Sequence, residues 1–267
     1  MNKQEFKEKF KIFLNTLENK LCENAEWKIK GFIDSDKSIF SLSNDTKLIS
    51  KILEIHIFPF IAEFAKKNYF DIILPTHQNY YPDLSFVSQK DSTIKFALDL
   101  KTTYRNEKNP HLCNGFTLGS HGEYFRNRSS NKNIQFPYKE YLGHFCLGVI
   151  YDRVLVDELQ RYELQDLNTI QSVIKNLTLF FVEKYKIASD SSGSGNTANI
   201  GSIKNIDDII NERGVFAELG ENIFDDYWIN YGQINITDSK GSVKKITKLA
   251  EYLAYRGKSG QEMGDKI

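Results

Sequence analysis

The 267-residue sequence lacks the features that mark exported, membrane-bound or zinc-stabilised proteins. Its three cysteines, Cys22, Cys113 and Cys146, form no Cys-X-X-Cys pair or Cys/His cluster, so we expect free thiols and neither a zinc site nor a disulfide framework. It has no run of about 18 apolar residues, and its N-terminus lacks the apolar stretch of a signal peptide. We therefore expect neither membrane insertion nor export, which leaves the cytoplasm as the default location.

The sequence also lacks net charge, since 35 Lys and Arg residues balance 35 Asp and Glu residues. This balance argues against a nucleic-acid partner, but the charges are segregated along the chain. Basic residues are concentrated in two stretches: Lys101, Arg105, Lys108, Arg126, Arg128 and Lys132 in the first, and Lys240, Lys244, Lys245, Lys248, Arg256 and Lys258 in the second. Each stretch suits phosphate contact or a solvated surface, and the sequence leaves both interpretations open.

With 40% hydrophobic and 13% aromatic residues, the chain has enough apolar material for a large core. Apolar spacing and capping residues predict an amphipathic helix over 3–21 and a long helix from 46 to about 67. The other predicted elements are a hairpin at 27–34 and 38–43, strands at 69–74, 81–88, 93–103, 144–156 and from 177, a loop over most of 105–133, and helices at 137–142, 157–175, 204–212, 222–231 and 242–255. This order predicts an α/β (α+β) fold in which helices flank a mixed β-sheet.

Two short motifs place charged side chains on predicted strands. In the run KFALDLK at 95–101, apolar and polar residues alternate, so Asp99 and Lys101 project side by side from one face. Pro82 favours an extended conformation for Tyr81 and suits the start of a strand at Asp83. If the two strands are neighbours, Asp83 meets Asp99.

This combination of side chains suits hydrolysis of a phosphodiester with a magnesium ion. Mg²⁺ prefers oxygen ligands and usually binds one or two carboxylates together with water and a phosphate oxygen. Asp83 and Asp99 could supply those carboxylates. Lys101 could orient the attacking water or neutralise developing charge. Either motif alone is more often structural, because Asp-X-Lys in a strand and Pro-Asp at a turn are common by chance.

The segment SDSSGSGNTAN at 189–199 has the composition of a flexible linker. Its position after a strong strand and before a predicted helix also suits contact with DNA, since small residues permit close approach and Asn or Thr side chains can bond to base edges. Composition alone does not decide between the two.

Five segments of the sequence, taken in order, resemble one protein family. They are NDTKLIS at 44–50, QNYYPD at 78–83, ALDLKTTY at 97–104, GSGNTANIGSI at 193–203 and DYWINY at 226–231. They closely resemble the EcoRV family of type II restriction endonucleases, within the PD-(D/E)XK nuclease superfamily, and the similarity extends from about residue 10 to 258. The resemblance implies one restriction-endonuclease domain over 1–267, with an N-terminal dimerisation part at about 3–43 and a DNA-binding and catalytic part at about 44–258.

The resemblance also implies roles for individual residues. Asp83, Asp99 and Lys101 look like the catalytic triad, with the aspartates as Mg²⁺ ligands. Glu54 resembles an auxiliary metal or water ligand, with a surface ion pair to Lys51 at helical spacing as the alternative. The residues that resemble DNA contacts are Thr46 and Lys132 at the backbone, Gln78 and Asn79 in a minor-groove loop, and Gly193, Ser194, Gly195, Asn196, Thr197, Ala198 and Asn199 in a major-groove recognition loop.

The implied target is double-stranded DNA at GATATC, cut bluntly at its centre with 5′-phosphate ends. Ala198 and His77 depart from the family, which has threonine and glutamine there, whereas Asn196 and Thr197 are retained. A symmetric homodimer with two recognition loops matches a palindrome, and its contacts are expected in the N-terminal helix and hairpin. A methyltransferase that protects the host DNA is the other expected partner.

Two alternatives stay open at this point. One is a PD-(D/E)XK nuclease of repair or recombination that cuts by DNA structure, which a defined banding pattern on plasmid DNA would exclude. The other is a non-catalytic DNA-binding protein in which the carboxylates only stabilise the strand pair. Loss of cleavage but not of binding in Asp99→Ala would exclude that alternative.

Overall fold

The computed structural model describes residues 1–156, 159–193, 198–237 and 242–264, the last seven of these by their backbone only. Its α-helices are α1 (Lys3–Leu21), α2 (Thr46–Lys67), α3 (Glu123–Arg126), α4 (Ile206–Ile210), α5 (Val215–Leu219), α6 (Glu221–Asn230) and α7 (Leu249–Gly264). Short 3-10 helices cover Tyr138–Glu140, Leu164–Thr169 and Lys184–Ile187. No described helix is long and apolar enough to cross a membrane.

The strands form one large sheet and three small ones. They are β1 (Cys22–Glu23), β2 (Glu26–Trp27), β3 (Gly31–Ile33), β4 (Ile39–Ser41), β5 (Phe70–Ile73), β6 (Leu84–Ser88), β7 (Lys95–Asn106), β8 (Asn109–Cys113), β9 (Thr117–Ser120), β10 (Gly143–Arg153), β11 (Arg161–Tyr162), β12 (Ile174–Glu183), β13 (Ala188–Ser192), β14 (Asn199–Ser202), β15 (Asn235–Thr237) and β16 (Val243–Lys245).

The large sheet is mixed and has the order β1-β2-β12-β10-β7-β6-β5, with β8 paired to the far end of β7. Its central pair, β7 and β10, is parallel, and its other neighbours are antiparallel. With helices packed against it, this sheet confirms the predicted fold class. The central strands are buried on both faces, as the parallel pairing requires.

Helix α1 buries its apolar stripe against one face of the large sheet. A capping box between Asn2 and Glu5 starts the helix. The Phe6 ring stacks on Phe96 of β7 with 4.1 Å between centroids, and Phe10 stacks on Phe181 of β12 at 4.0 Å. The stripe therefore finds its partner within the chain.

The opposite face of the sheet carries a second core and the residues of interest. Ala97 and Cys146 belong to that second cluster, whereas Phe96 and Leu98 belong to the first. Because side chains alternate along a strand, Asp99 and Lys101 lie on the same side of β7 as Ala97. The small sheet β13-β14-β9 adjoins this second core, which contains Leu118 of β9 and Ile200 of β14.

Three predicted elements differ from the structure. The predicted polar helix over 157–175 is wrong, because its described part holds β11, a 3-10 helix and the start of β12. The predicted loop over 105–133 contains β8, β9 and α3, and the predicted helix over 242–255 begins with β16 and becomes helical at Leu249. Strand β9 depends on pairing with the distant β14, a contact that local sequence cannot show.

Candidate active site

The pairing of β6 with β7 brings the two predicted carboxylates together. Leu84 pairs with Leu98, so Asp83, directly before β6, lies beside the middle of β7. An oxygen of the Asp83 carboxylate accepts a hydrogen bond from the Leu100 backbone N–H at 2.7 Å. This bond holds Asp83 beside the part of β7 that carries Asp99 and Lys101, and the two strands are neighbours as that arrangement requires.

Lys101 lies against the buried carboxylate of Asp99. Its Nζ is 3.3 Å from Asp99 Oδ2, and Asp99 is only 3% exposed. Burial lowers the pKa of Lys101, but the negative charges of Asp99 and Asp83 outweigh burial and hold that pKa above its ordinary value. Asp99 and Asp83 therefore both position the Lys101 ammonium group and favour its charged form.

Asp83 has a carboxyl group that is costly to ionise. Burial raises its pKa to about 6; Lys101 opposes this shift, and the charges of Asp99 and Glu54 reinforce it. Two neighbouring carboxylates that repel each other favour a bound cation, because its charge would offset both the cost of burying the negative charges and their mutual repulsion.

Asp83 lines a cleft of about 660 Å³ between α2 and the sheet, whereas Asp99 and Lys101 lie beside Asp83 and are not part of the lining. Thr46 and Glu54 of α2 line it together with Gln78 and Asp83, so four residues of the predicted site share one cavity. Glu54 is half-buried and also forms the alternative ion pair, with 2.5 Å between its carboxylate and Lys51 Nζ. Glu54 therefore both pairs with Lys51 and lines the cleft, so it has the contacts that each of the two interpretations requires.

Two predicted DNA contacts lie outside the lining of this cleft. Asn79 is exposed in the turn that also holds Gln78. Lys132 is exposed in the turn before Ile134, whose backbone forms a parallel bridge with Tyr81. Both residues are near the chain segment that leads to Asp83, but the structure does not bring them to the triad.

The described part of the predicted recognition loop closes the hairpin of β13 and β14. The Gly193 N–H donates to the Asn199 carbonyl at 2.7 Å, and the Ala198 carbonyl accepts from the His121 N–H at 2.8 Å. Asn199 pairs with Ser120 of β9. The other predicted loop residues, Ser194, Gly195, Asn196 and Thr197, lie outside the described residues.

A second cleft of about 610 Å³ runs beneath this hairpin and is lined by Gly193 and Gly201. Asn114 and Gly115 line both this cleft and the one that Asp83 lines. The base of the 193–199 loop and the acidic site are thus parts of one continuous surface.

Comparison with known proteins gives likenesses of three kinds. The family model described as "Restriction endonuclease EcoRV" matches residues 23–257. The type II restriction enzyme EcoRV of Escherichia coli is 35% identical over 241 residues, which are 88% of this chain and 94% of that protein. A solved structure, the NlaIV restriction endonuclease, matches with a TM-score of 0.40 and 16% identity over 77% of this chain and 69% of that one. The TM-score is too low for any comparison of sites.

The chain belongs to the EcoRV restriction endonuclease family. Membership makes it a nuclease with DNA as its substrate, and enzymes of the EcoRV type generally depend on a metal ion.

The site of this EcoRV-family chain has the right chemistry for a hard divalent cation. Asp83 and Asp99 offer carboxylate oxygens, and one oxygen of Asp83 is held by Leu100 N–H, which orients the other. The described residues contain no group of three or more His, Cys, Asp or Glu suited to a metal. Two carboxylates are sufficient for Mg²⁺, which keeps several waters and binds a substrate phosphate, whereas a structural zinc site needs four protein ligands.

Several basic residues that suggested phosphate contact are instead paired within the chain. The pairs are Lys101–Asp99, Arg105–Asp152, Arg128–Asp225, Lys244–Glu251 and Arg256–Asp226. For Arg105, Arg128, Lys244 and Arg256, these ion pairs favour a structural role over phosphate contact. Lys240 and the side chain of Lys258 lie outside the described part of the chain.

The layer of side chains behind the triad was missed by sequence reasoning. The ring of Tyr81 stacks on that of Tyr124 with 5.3 Å between centroids. The Tyr81 hydroxyl oxygen is 2.9 Å from His144 Nδ1, a hydrogen-bond distance. Burial, with the charges of Lys184 and Arg128, holds the pKa of His144 well below its ordinary value, so the ring is neutral. These residues come from separate segments, and no spacing or motif connects them in the sequence.

Proposed function

We propose that this EcoRV-family nuclease is a Mg²⁺-dependent type II restriction endonuclease that cuts both strands of DNA at a short palindrome. The observation that carries the proposal is the convergence of Asp83, Asp99 and Lys101, with Asp83 at a cleft that shares lining residues with the cleft at the base of the 193–199 loop. A hydrolytic site next to a loop that is suited to base contacts supports cleavage that depends on the DNA sequence. The resemblance of 193–203 to the family supports GATATC, cut bluntly at its centre with 5′-phosphate ends.

In this proposal each charged residue has one task. Asp83 and Asp99 hold the ion, and Lys101 orients the attacking water or stabilises the charge that develops on the phosphate. Bound there, Mg²⁺ supplies Lewis-acid polarisation of the scissile phosphate. Glu54, half-buried in the same cleft, adds an auxiliary ligand for the ion or for water.

DNA contacts are distributed around the same surface. Thr46, in the first turn of α2 and in the cleft lining, is placed to contact a backbone phosphate. Gln78 and Asn79 face the minor groove in this proposal, Lys132 contacts the backbone, and the 193–199 loop enters the major groove. Bending the duplex at a flexible central base step would cost roughly a few kcal/mol of free energy. Contacts to the correct bases would offset this cost.

A homodimer is part of the proposal because one chain offers one loop and one triad. Exposed apolar side chains gather on the small sheet β3-β4-β11, where Phe32 is 50% exposed, Ile33 59% and Phe40 45%. Leu159 and Leu164, which flank β11, are also exposed. This face supports dimer contacts in the N-terminal part at about 3–43, with the DNA-binding and catalytic part at about 44–258. The proposed setting is the cytoplasm, with a methyltransferase that protects the same site in host DNA.

Digestion of a sequenced plasmid with and without Mg²⁺, followed by mapping of the ends, tests the proposal. We expect discrete fragments that end at the centre of GATATC only when Mg²⁺ is present. Asp99→Asn should abolish cleavage while a gel-shift assay still detects binding to a GATATC duplex. The matched control is Asp207→Asn, which removes an exposed carboxylate paired with Arg213 and should cut as the wild type does.

Two other outcomes would support an alternative to this proposal. Cleavage that follows junctions or flaps and ignores sequence would identify a structure-specific nuclease. Cleavage that persists in Asp99→Asn would show that the triad is not the active site.

A further inference from the structure

Lys184 is a buried lysine whose charge is unpaired. It begins the 3-10 helix Lys184–Ile187 between β12 and β13 and is only 1% exposed. Its Nζ makes no hydrogen bond to any residue that the structure describes. Lys7, which is 6% exposed, shows the usual arrangement, because its Nζ lies 3.0 Å from Glu183 and 2.7 Å from Glu212.

The ammonium group of Lys184 lies directly behind the acidic site. Its Nζ is 4.4 Å from the centroid of the Tyr81 ring, a cation–π contact, and Tyr81 is two residues before Asp83. Burial lowers the pKa of Lys184 to about 8, against the opposing charge of Asp99, so the group is charged at neutral pH. A positive charge thus acts on Asp99 from inside the protein.

Another neighbour of Lys184 belongs to the sheet that carries the 193–199 loop. Gly119 of β9 has φ +97°, and a Cβ built there would lie 3.0 Å from Lys184 Nζ. The next residue, Ser120, pairs with Asn199 of the loop. The 3-10 helix that starts at Lys184 leads straight into β13. Lys184 therefore stands where the catalytic segment meets the strands that support the loop.

An unpaired ammonium group in the interior opposes folding, because its hydration is lost and no carboxylate replaces it. A methionine has similar length and flexibility and would fill the same space without that cost. The stability of the fold therefore does not explain why a lysine occupies position 184. A charge held next to the proposed catalytic carboxylates can orient them.

We propose that Lys184 is a positioning residue for DNA cleavage, whose ammonium group holds Tyr81, and with it Asp83, in register with the strands that support the 193–199 loop. The inference rests on the proposed function, since it assigns Lys184 a part in the reaction of Asp83, Asp99 and Lys101.

The test compares Lys184→Met with Lys7→Met in the full chain. For Lys184→Met we expect a Tm higher by about 2 °C or more, unchanged gel-shift binding to a GATATC duplex without Mg²⁺, and a single-turnover cleavage rate lower by about tenfold or more. Lys184→Gln, a second neutral variant, should show the same loss of rate. Lys7→Met strips a partner from the buried Glu183 and the half-buried Glu212, so it should lower the Tm and leave the cleavage rate per folded molecule unchanged.

Two results would overturn the inference. A wild-type cleavage rate in Lys184→Met or Lys184→Gln would show that the charge has no part in the reaction. A Tm of Lys184→Met below that of the wild type, or failure of that variant to fold, would make Lys184 a stabilising core residue. Asp99→Asn, measured in parallel, separates the two proposals, because cleavage by that variant would contradict the proposed active site itself.

Discussion

At the scale of single residues, the carboxyl of Asp83 shows a conflict between stability and the proposed function. Its pKa in the folded chain is raised to about 6 from the ordinary 3.8, chiefly by burial. The stability from its protonated form is fully present below pH 3.8 and is lost as the pH rises through about 6. At the pH where a metal-dependent nuclease works, the metal-free protein carries that cost.

Asp83→Asn should therefore inactivate and stabilise the protein at once. The amide oxygen can still accept the hydrogen bond from Leu100 N–H, while the cost of the buried charge disappears. We expect the free energy of unfolding at pH 8 in EDTA to rise by about 2 kcal/mol, with cleavage lost. Urea denaturation measures the change. The difference between variant and wild type should shrink at pH 5, and a destabilised variant at pH 8 would contradict the stated cause.

Glu54 offers a residue-scale test of two interpretations that the structure shows side by side. If it serves the metal site, Glu54→Gln should lower the cleavage rate by roughly 10–100-fold and raise the Mg²⁺ concentration needed. Lys51→Met removes the exposed partner of the pair and should change the rate little, since such pairs contribute about 1 kcal/mol or less. Rates measured across a Mg²⁺ titration decide, and equal effects in the two variants would favour the ion pair.

At the scale of elements, α2 connects local sequence with the site. Asp45 caps the helix, since one of its carboxylate oxygens accepts hydrogen bonds from the N–H groups of Lys47 at 3.0 Å and Leu48 at 2.9 Å. The apolar face of the helix is buried in the core, and Glu54 on another face reaches the cleft. The cap and the apolar spacing were both readable in the sequence.

Asp45→Ala should destabilise the protein by about 1 kcal/mol because the two N–H groups lose their acceptor. Asp45→Asn keeps an acceptor oxygen and should lose much less. The midpoint of urea denaturation reports both changes. Because the packing of α2 holds Glu54 in place, we expect the cleavage rate at 25 °C to stay near that of the wild type. A large loss of rate without a loss of stability would show that Asp45 acts on DNA.

Elements differed in how well local pattern predicted them. The alternation that marks β7 predicted both the strand and the common face of Asp99 and Lys101. The polar stretch at 157–175 was predicted as a helix, but β11 forms there by pairing with β4, so a partner far along the chain outweighed local preference.

At the scale of the whole molecule, the exposed apolar face of β3-β4-β11 predicts association. Phe32 and Phe40 are cross-strand partners and both are largely exposed. The double variant Phe32→Asp/Phe40→Asp should shift a dimer to monomer in sedimentation velocity and leave the far-UV circular dichroism unchanged, because the two rings lie outside the core. Val243→Asp, at an apolar residue 68% exposed on β16, is the control and should stay dimeric. An unchanged sedimentation coefficient in the double variant would place the dimer contact elsewhere.

The sequence by itself predicted the chemistry of the proposed site, since Pro82-Asp83 and Asp99-Leu100-Lys101 carry the right groups and alternation places the second pair on one face. It also determined the family, because ordered motifs survive along the whole chain. Only the tertiary structure decided that Asp83 reaches Leu100 N–H and that the clefts at Asp83 and at the base of the loop share lining residues. It also decided that Lys184 is buried there without a hydrogen-bond partner among the described residues. Strand register and burial create these relations among distant segments, and a local pattern contains neither.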